Sequence, residues 1–162
     1  MRPFVAELTL TRTITGVGER NGQVPWPKPA STWIFPTASH LASWVGICPG
    51  NNESAGKHKS GRIRKGNVWC KAALVEAAWC AASRRDTYLG ALFRRLSRRR
   101  GPKRAIVAVA HAIAVALWHV LSKKQPYRDL GPDHFDRIDR ERLIRLHSRA
   151  LRRLGVPVPI AA

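Results

Sequence analysis

At 162 residues, 44% of them hydrophobic and 24% charged, the chain holds about one domain and enough apolar content to bury a core. Lys and Arg number 29 against 10 Asp and Glu, a net charge of +19 with a pI near 11.5. Three cysteines, Cys48, Cys70 and Cys80, with no CxxC pair exclude a zinc-finger framework and predict three small buried thiols in a reducing cytoplasm.

The charge is concentrated. Residues 54–128 carry eighteen Lys/Arg and two acids, Glu76 and Asp86, so sixteen of the nineteen net charges fall there, and residues 87–128 hold no acid at all. Self-repulsion of this size opposes a compact state unless a polyanion screens it. Nucleic acid is the expected partner, because its phosphates bind cationic protein with release of counterions. A solvated basic face and an acidic membrane surface are the alternatives. The N-terminus has no charged-then-apolar leader. The one long apolar run, residues 105–121, is at the short limit for a membrane span and contains His111 and His119, so it predicts a buried core helix with core histidines.

In chain order, residues 4–10 alternate in polarity, and Ile14-Thr15-Gly16-Val17-Gly18 has the form of a tight turn in a helix-hairpin-helix, whose backbone N–H groups face a phosphate. Residues 21–33 contain Pro25, Pro27 and Pro29, which forbid a helix. Pro36-Thr37-Ala38-Ser39 is a helix start with Thr37 as N-cap, and Gly46 ends that helix. A turn-rich loop with Ser54 at its centre follows to residue 66, carrying Lys57, Lys59, Arg62, Arg64 and Lys65. Asn67 caps a helix over 67–83, so apolar that burial on most sides is expected. A third helix is predicted over 86–100 with Asp86 as N-cap and Tyr88, Leu89, Leu92, Phe93 and Leu96 as its apolar stripe. Its arginines Arg94, Arg95, Arg98 and Arg99 suit the negative end of the helix dipole. Pro102 opens a fourth helix over 103–123, the expected centre of the bundle, with Lys103 and Arg104 in its first turn. A loop over 127–135 and an amphipathic helix over 136–154 complete the chain. Trp44, Trp69, Trp79 and Trp118 are expected in the core. The fold class is therefore mainly α, a compact bundle of about five helices with a basic irregular loop and a disordered or extended N-terminal segment.

Several words of the sequence carry a resemblance. They are Phe35-Pro36-Thr37-Ala38-Ser39-His40-Leu41-Ala42-Ser43-Trp44, Cys48-Pro49-Gly50-Asn51-Asn52-Glu53-Ser54-Ala55-Gly56-Lys57, Arg64-Lys65-Gly66-Asn67, Ala73-Leu74-Val75-Glu76-Ala77-Ala78-Trp79, Lys103-Arg104-Ala105-Ile106-Val107-Ala108-Val109-Ala110-His111 and Pro126-Tyr127-Arg128-Asp129-Leu130-Gly131. Together residues 35–135 resemble the C-terminal domain of IS110/IS116/IS902-type insertion-sequence transposases, with residues 136–162 an amphipathic tail.

The resemblance implies a two-part enzyme for DNA transposition. A RuvC-like domain holds magnesium on four acidic residues, and a helical domain carries a serine that forms a transient phosphoserine link with DNA. It also implies a guide RNA and a homo-oligomer, and no membrane partner. The matching serine is Ser54, for which a loop serine bonding its own turn is the alternative. A serine hydroxyl is a weak nucleophile alone, and cations stabilise the charge that develops on a phosphate. The expected DNA or RNA contacts are Lys57, Lys59, Arg62, Arg64, Lys65, Arg94, Arg95, Arg98, Arg99, Lys103 and Arg104. No metal ligands are expected in this chain, and magnesium only with the RuvC-like domain. Residues 1–34 match the pattern poorly. Read two nucleotides later, residues 23–33 permit the helix the family shows there, so the segment is expected to be out of frame and poorly ordered, a helix-hairpin-helix remnant in a truncated product unable to cut alone. A non-catalytic nucleic-acid-binding protein and a helical oligomerisation module are the other readings.

Overall fold

The 105–121 run folds as the hub of the domain. The computed structural model describes residues 5–23, 35–49 and 52–155, with the backbone alone for Asn52, Glu53, His58, Lys59 and Glu141. In chain order the elements are α1 (Val5–Thr11), α2 (Glu19–Gly22), α3 (Ala38–Val45), β1 (Asn52–Ser54), β2 (Lys57–Ser60), α4 (Val68–Ser83), α5 (Tyr88–Arg100), α6 (Pro102–Lys123), α7 (His134–Ile138) and α8 (Arg140–Arg153). The fold is mainly helical, as expected. The five expected helices correspond to α3, α4, α5, α6 and α8.

Helix α6 packs against α1, α3, α4 and α5. Ala105, Ile106, Val109, Ala110, Ile113, Ala114, Leu117, Val120 and Leu121 form its buried stripe. Their spacing of three and four residues keeps them on one side of a 3.6-residue helix. By length and composition α6 is apolar enough to cross a bilayer, but here half of that surface is spent on the core. Each fully buried Val, Leu or Ile there contributes roughly 1.5–3 kcal/mol. Its histidines are not core residues: His111 is half-buried and His119 is exposed, because both fall off the buried stripe.

Helix α4 departs from the expectation of burial on most sides. It buries small residues, Cys70, Ala73, Ala77, Ala78 and Ala81, around one Leu74, which allows close approach to α6. Val68, Trp69 and Trp79 fall between those positions and are exposed. The four tryptophans expected in the core therefore divide. Trp118 packs on the core and donates its Nε1–H to the Phe35 carbonyl at 3.0 Å. Trp44 lies against Phe35, ring centroids 5.6 Å apart, whereas Trp79 and Trp69 are 51% and 80% exposed. The cysteines divide too: Cys70 is buried, Cys48 half-buried and Cys80 exposed, all free. Burial pushes the Cys70 thiol up to about 11, so it is a neutral core group at ordinary pH.

The capping residues explain the helix limits. Thr37 Oγ1 accepts from His40 N–H and Asn67 Oδ1 from Cys70 N–H, as expected. Helix α5 starts one residue later than predicted, because Thr87 and not Asp86 takes the cap, accepting from Gly90 N–H at 3.2 Å. Asp129 pins the α5 start from outside. Its carboxylate accepts from Tyr88 N–H at 2.9 Å, Gly131 N–H at 2.7 Å and Thr15 Oγ1 at 3.4 Å.

Within the N-terminal segment, expected to be disordered or extended, α1 and α2 are short helices joined by a turn over residues 12–18. Ile14 and Val17 are buried in the main core, and Gly16 at φ +89° turns the chain flat against α4. A Cβ on Gly16 would lie 2.3 Å from the Ala77 carbonyl oxygen. The prolines and the stretch expected to be out of frame fall largely in residues 24–34, outside the described residues. The predicted tail helix is two helices broken at Asp139, where Asp139 and Arg95 form an ion pair at 2.6 Å. Arg95 also lies over the Phe135 ring at 5.0 Å.

That ion pair sets a pH response. The hydrogen bond from Arg95 holds the Asp139 carboxyl below its ordinary value of 3.8. A carboxyl lowered in the folded state stabilises tail docking above that ordinary value, and the contribution is lost as pH falls through the lowered one. Hydrogen exchange of the α7 amides should thus be pH-insensitive in protection from pH 7 to 5 and lose protection below about 3.8. Asp139→Asn should lack the acid-dependent step.

Candidate nucleic-acid interface

The loop between α3 and α4 is a rooted β-hairpin, more regular than the sequence implied. Gly46 ends α3 in a left-handed conformation at φ +78°. Gly46 N–H bonds the Ser43 carbonyl at 3.0 Å and Ile47 N–H the Ala42 carbonyl at 3.2 Å, the two bonds of a Schellman motif. Ile47 is buried, which anchors the outgoing strand. Pro49 and Ile63 then form a bridge, and β1 and β2 pair antiparallel above it.

The returning chain crosses the root at Gly66. A Cβ there would sit 2.3 Å from the Val45 carbonyl oxygen and 2.6 Å from the Gly46 nitrogen, so only glycine fits. Asn67 N–H reaches the Trp44 carbonyl at 3.4 Å, and Lys71 Nζ donates to the Arg64 carbonyl at 3.0 Å. The hairpin is therefore fixed to both helices at its base.

At the tip, Ala55 and Gly56 have φ +50° and +72°. Two successive positive-φ residues are the signature of a type I′ turn, which matches strand twist. Ala55 holds the left-handed conformation without being glycine, at a cost of about 1 kcal/mol. Ser54 and Lys57 flank the turn as cross-strand partners, so their side chains leave the same face of the ribbon. Ser54 and Lys57 are both exposed, and among the described residues nothing hydrogen bonds to Ser54 Oγ. The register shifts between Asn52 and Glu53, leaving Lys59 as the extra residue of a bulge; its side chain lies outside the described residues.

Arg62, Arg64 and Lys65 are exposed along the descending arm. A second cluster sits at the α5–α6 corner. Arg98, Arg99 and Arg100 end α5, and Lys103 and Arg104 begin α6, all exposed, with Gly101 at φ +80° between them. Trp79 and Phe93 lie similarly far from the 84–87 turn on α4 and α5, and their rings meet at 6.1 Å, so the two helices run antiparallel. At 1.5 Å per residue, the end of α5 returns to the level of the first turns of α4. The two basic clusters thus share one end of the bundle. Arg94 and Arg95 already have internal partners: Arg94 donates to the Arg84 and Arg85 carbonyls at 3.4 and 2.7 Å, and Arg95 holds the tail.

Two features of this surface are not legible in the sequence. The antiparallel pairing of Ser54 with Lys57 depends on turn geometry that Ala-Gly signals less strongly than Asn-Gly. Trp69, expected in the core, is exposed, because aromatic spacing alone does not tell which face of a helix is buried. Among the described residues, no group of three His, Cys, Asp or Glu converges to hold a metal ion.

Residues 9–94, more than half of the chain, match the family described as Transposase IS116/IS110/IS902 family. The match begins upstream of residue 35, where the matching domain was expected to start, and it includes the hairpin. The chain is also similar to "Putative transposase y4pF/y4sB" of Sinorhizobium fredii (strain NBRC 101917 / NGR234), at 28% identity over 120 residues, 71% of this chain and 31% of that protein. The chain therefore spans about a third of the length of that relative.

Proposed function

The chain belongs to the IS116/IS110/IS902 transposase family, and we propose that it contributes the DNA-contacting, serine-bearing part of a transposition reaction. The observation that carries this reading is the exposed Ser54 hydroxyl at a rigidly rooted hairpin tip, opposite Lys57 and above Arg62, Arg64 and Lys65. Phosphates of a strand lying across that end of the bundle meet these four cations and, at the α5–α6 corner, Arg98, Arg99, Lys103 and Arg104. The turn of residues 14–18 is a further backbone contact in this reading, as a helix-hairpin-helix, with Gly18 open to solvent.

In the chemical step Ser54 Oγ loses its proton and attacks phosphorus. The Oγ–P bond forms as the strand's P–O bond breaks, and the departing oxygen leaves as a hydroxyl. Attack by the hydroxyl of a second strand reverses the process, restoring a phosphodiester and freeing Ser54. One alkyl phosphate ester replaces another, so bond energy is conserved without an external energy source. Lys57 contributes charge at the phosphate, not proton removal. This proposal assigns hydroxyl activation to another part of the transposase, the RuvC-like domain that the resemblance implies. A guide RNA and self-assembly belong to the same proposal, as functions of the whole assembly.

Salt dependence tests the binding half. With the eight cations engaged on duplex DNA, the slope of log K against log salt should approach about −7. Replacing Arg64 and Lys65 by alanine should make it shallower by about 2. Binding that does not respond to salt would contradict the reading.

A further inference from the structure

We infer that Trp69 is a stacking platform for an unpaired nucleotide base at the edge of the basic hairpin. The inference rests on the nucleic-acid reading above and adds the strand state this surface selects: single-stranded, because the bases of a duplex hide their faces.

Trp69 lies in the first turn of α4 and is 80% exposed, beside Val68 at 74%. Leaving an indole and an isopropyl group together in water forgoes the burial their size offers. Trp79 has Phe93 as a ring partner and Trp44 has Phe35; among the described residues Trp69 has no such contact. Its backbone is nevertheless held firmly. Asn67 caps the helix through Cys70 N–H at 2.9 Å, and Lys71 Nζ binds the Arg64 carbonyl at 3.0 Å. An exposed indole on a fixed stretch of backbone presents an open face to a planar ligand.

The surroundings say which ligand. Arg62, Arg64 and Lys65 are exposed just before it, and no acid occurs in residues 54–75. An aromatic face next to a cationic track is the arrangement by which proteins hold single strands, phosphates on the cations and a base on the ring. A second copy of this chain would bring the same cations to the same surface, and like charges oppose that pairing.

The test uses the 162-residue chain, titrated by anisotropy with a labelled 12-nucleotide DNA strand, an RNA strand of the same sequence and a 12-base-pair DNA duplex. Trp69→Ala should weaken single-strand binding roughly ten-fold at fixed salt. Duplex affinity should stay within about two-fold and the salt slope should be unchanged, because phosphate contacts remain. Trp69→Phe should retain most of the affinity. Loss on both strands identifies stacking alone, and loss on one identifies the strand the platform serves. Unchanged single-strand affinity with a steep salt slope would overturn the Trp69 inference while leaving the nucleic-acid reading intact; absence of salt-dependent binding to every probe would remove both. A concentration-dependent dimer that Trp69→Ala dissolves, with single-strand affinity unchanged, would overturn it in favour of self-association.

Discussion

Ser54→Ala should abolish strand exchange while leaving DNA affinity nearly unchanged. Supplied with the RuvC-like part of a family transposase and a DNA substrate, the variant should exchange strands more slowly by a factor on the order of 10⁴ or more, the scale of loss when a covalent nucleophile is removed. The folded state should be indifferent to the change. The side chain is exposed, sits at the end of β1 and accepts no hydrogen bond among the described residues, and exposed surface substitutions of this kind cost within about 0.5 kcal/mol. In the proposed reaction affinity and rate separate, because Lys57 and the arginines would hold the phosphates, whereas the hydroxyl would act on the reacting atom alone. Lys57→Ala should give the complementary pattern, a shallower salt slope with a smaller loss of rate. If Ser54→Ala exchanges strands at the parent rate, Ser54 is a turn serine.

Gly66→Ala should be among the most damaging single-methyl additions in the chain. The new Cβ would lie 2.3 Å from the Val45 carbonyl oxygen and 2.4 Å from its carbon. Those are backbone atoms at the end of α3, so no rotamer change relieves the contact, and the hairpin root has to move. Overpacking of this kind costs roughly 3 kcal/mol or more, a fall in melting temperature of about 6–12 °C for a chain of this size. Gly18→Ala is the matched control. No atom lies within 4 Å of its Cβ position, and its φ of −86° suits any residue, so thermal denaturation should move by no more than about 2 °C. Equal melting temperatures for the two variants would show that the Gly46–Gly66 crossing does not anchor the hairpin.

The elements that the sequence announces are those whose signals are local. Thr37, Gly46, Asn67 and Pro102 mark helix limits through capping chemistry that needs no tertiary partner, and all four act as expected. The apolar run of α6 is long enough that its burial was legible as well. What escaped depends on partners distant in sequence. Thr87 displaces Asp86 as the α5 cap because Asp129, forty-one residues on, occupies Tyr88 N–H and fixes the start. The break at Asp139 coincides with its ion pair to Arg95, forty-four residues away.

The outward face of α4 was misread because a helix of alanines has no polar side to reveal which way it turns; burial is decided by where α6 lies. At the site, the density of cations was plain in the sequence, but not their division between surface and structure. Arg94 and Arg98 look alike in the chain, and only the fold commits Arg94 to the Arg84 and Arg85 carbonyls. The pairing of Ser54 with Lys57 required a turn in which Ala55 adopts a conformation its side chain disfavours.

The proposal that the exposed hydroxyl of residue 54 meets a strand's phosphate is tested most directly by looking for the covalent link. The chain, the RuvC-like part of a family transposase and a DNA substrate carrying a strand that cannot complete exchange are quenched in acid, digested, and the peptides read by mass spectrometry. An oligonucleotide joined through a phosphodiester to the peptide containing Ser54, and missing from the Ser54→Ala digest, is the predicted result. Strand exchange that proceeds with no protein-linked DNA, or a link mapped to another residue, would contradict it.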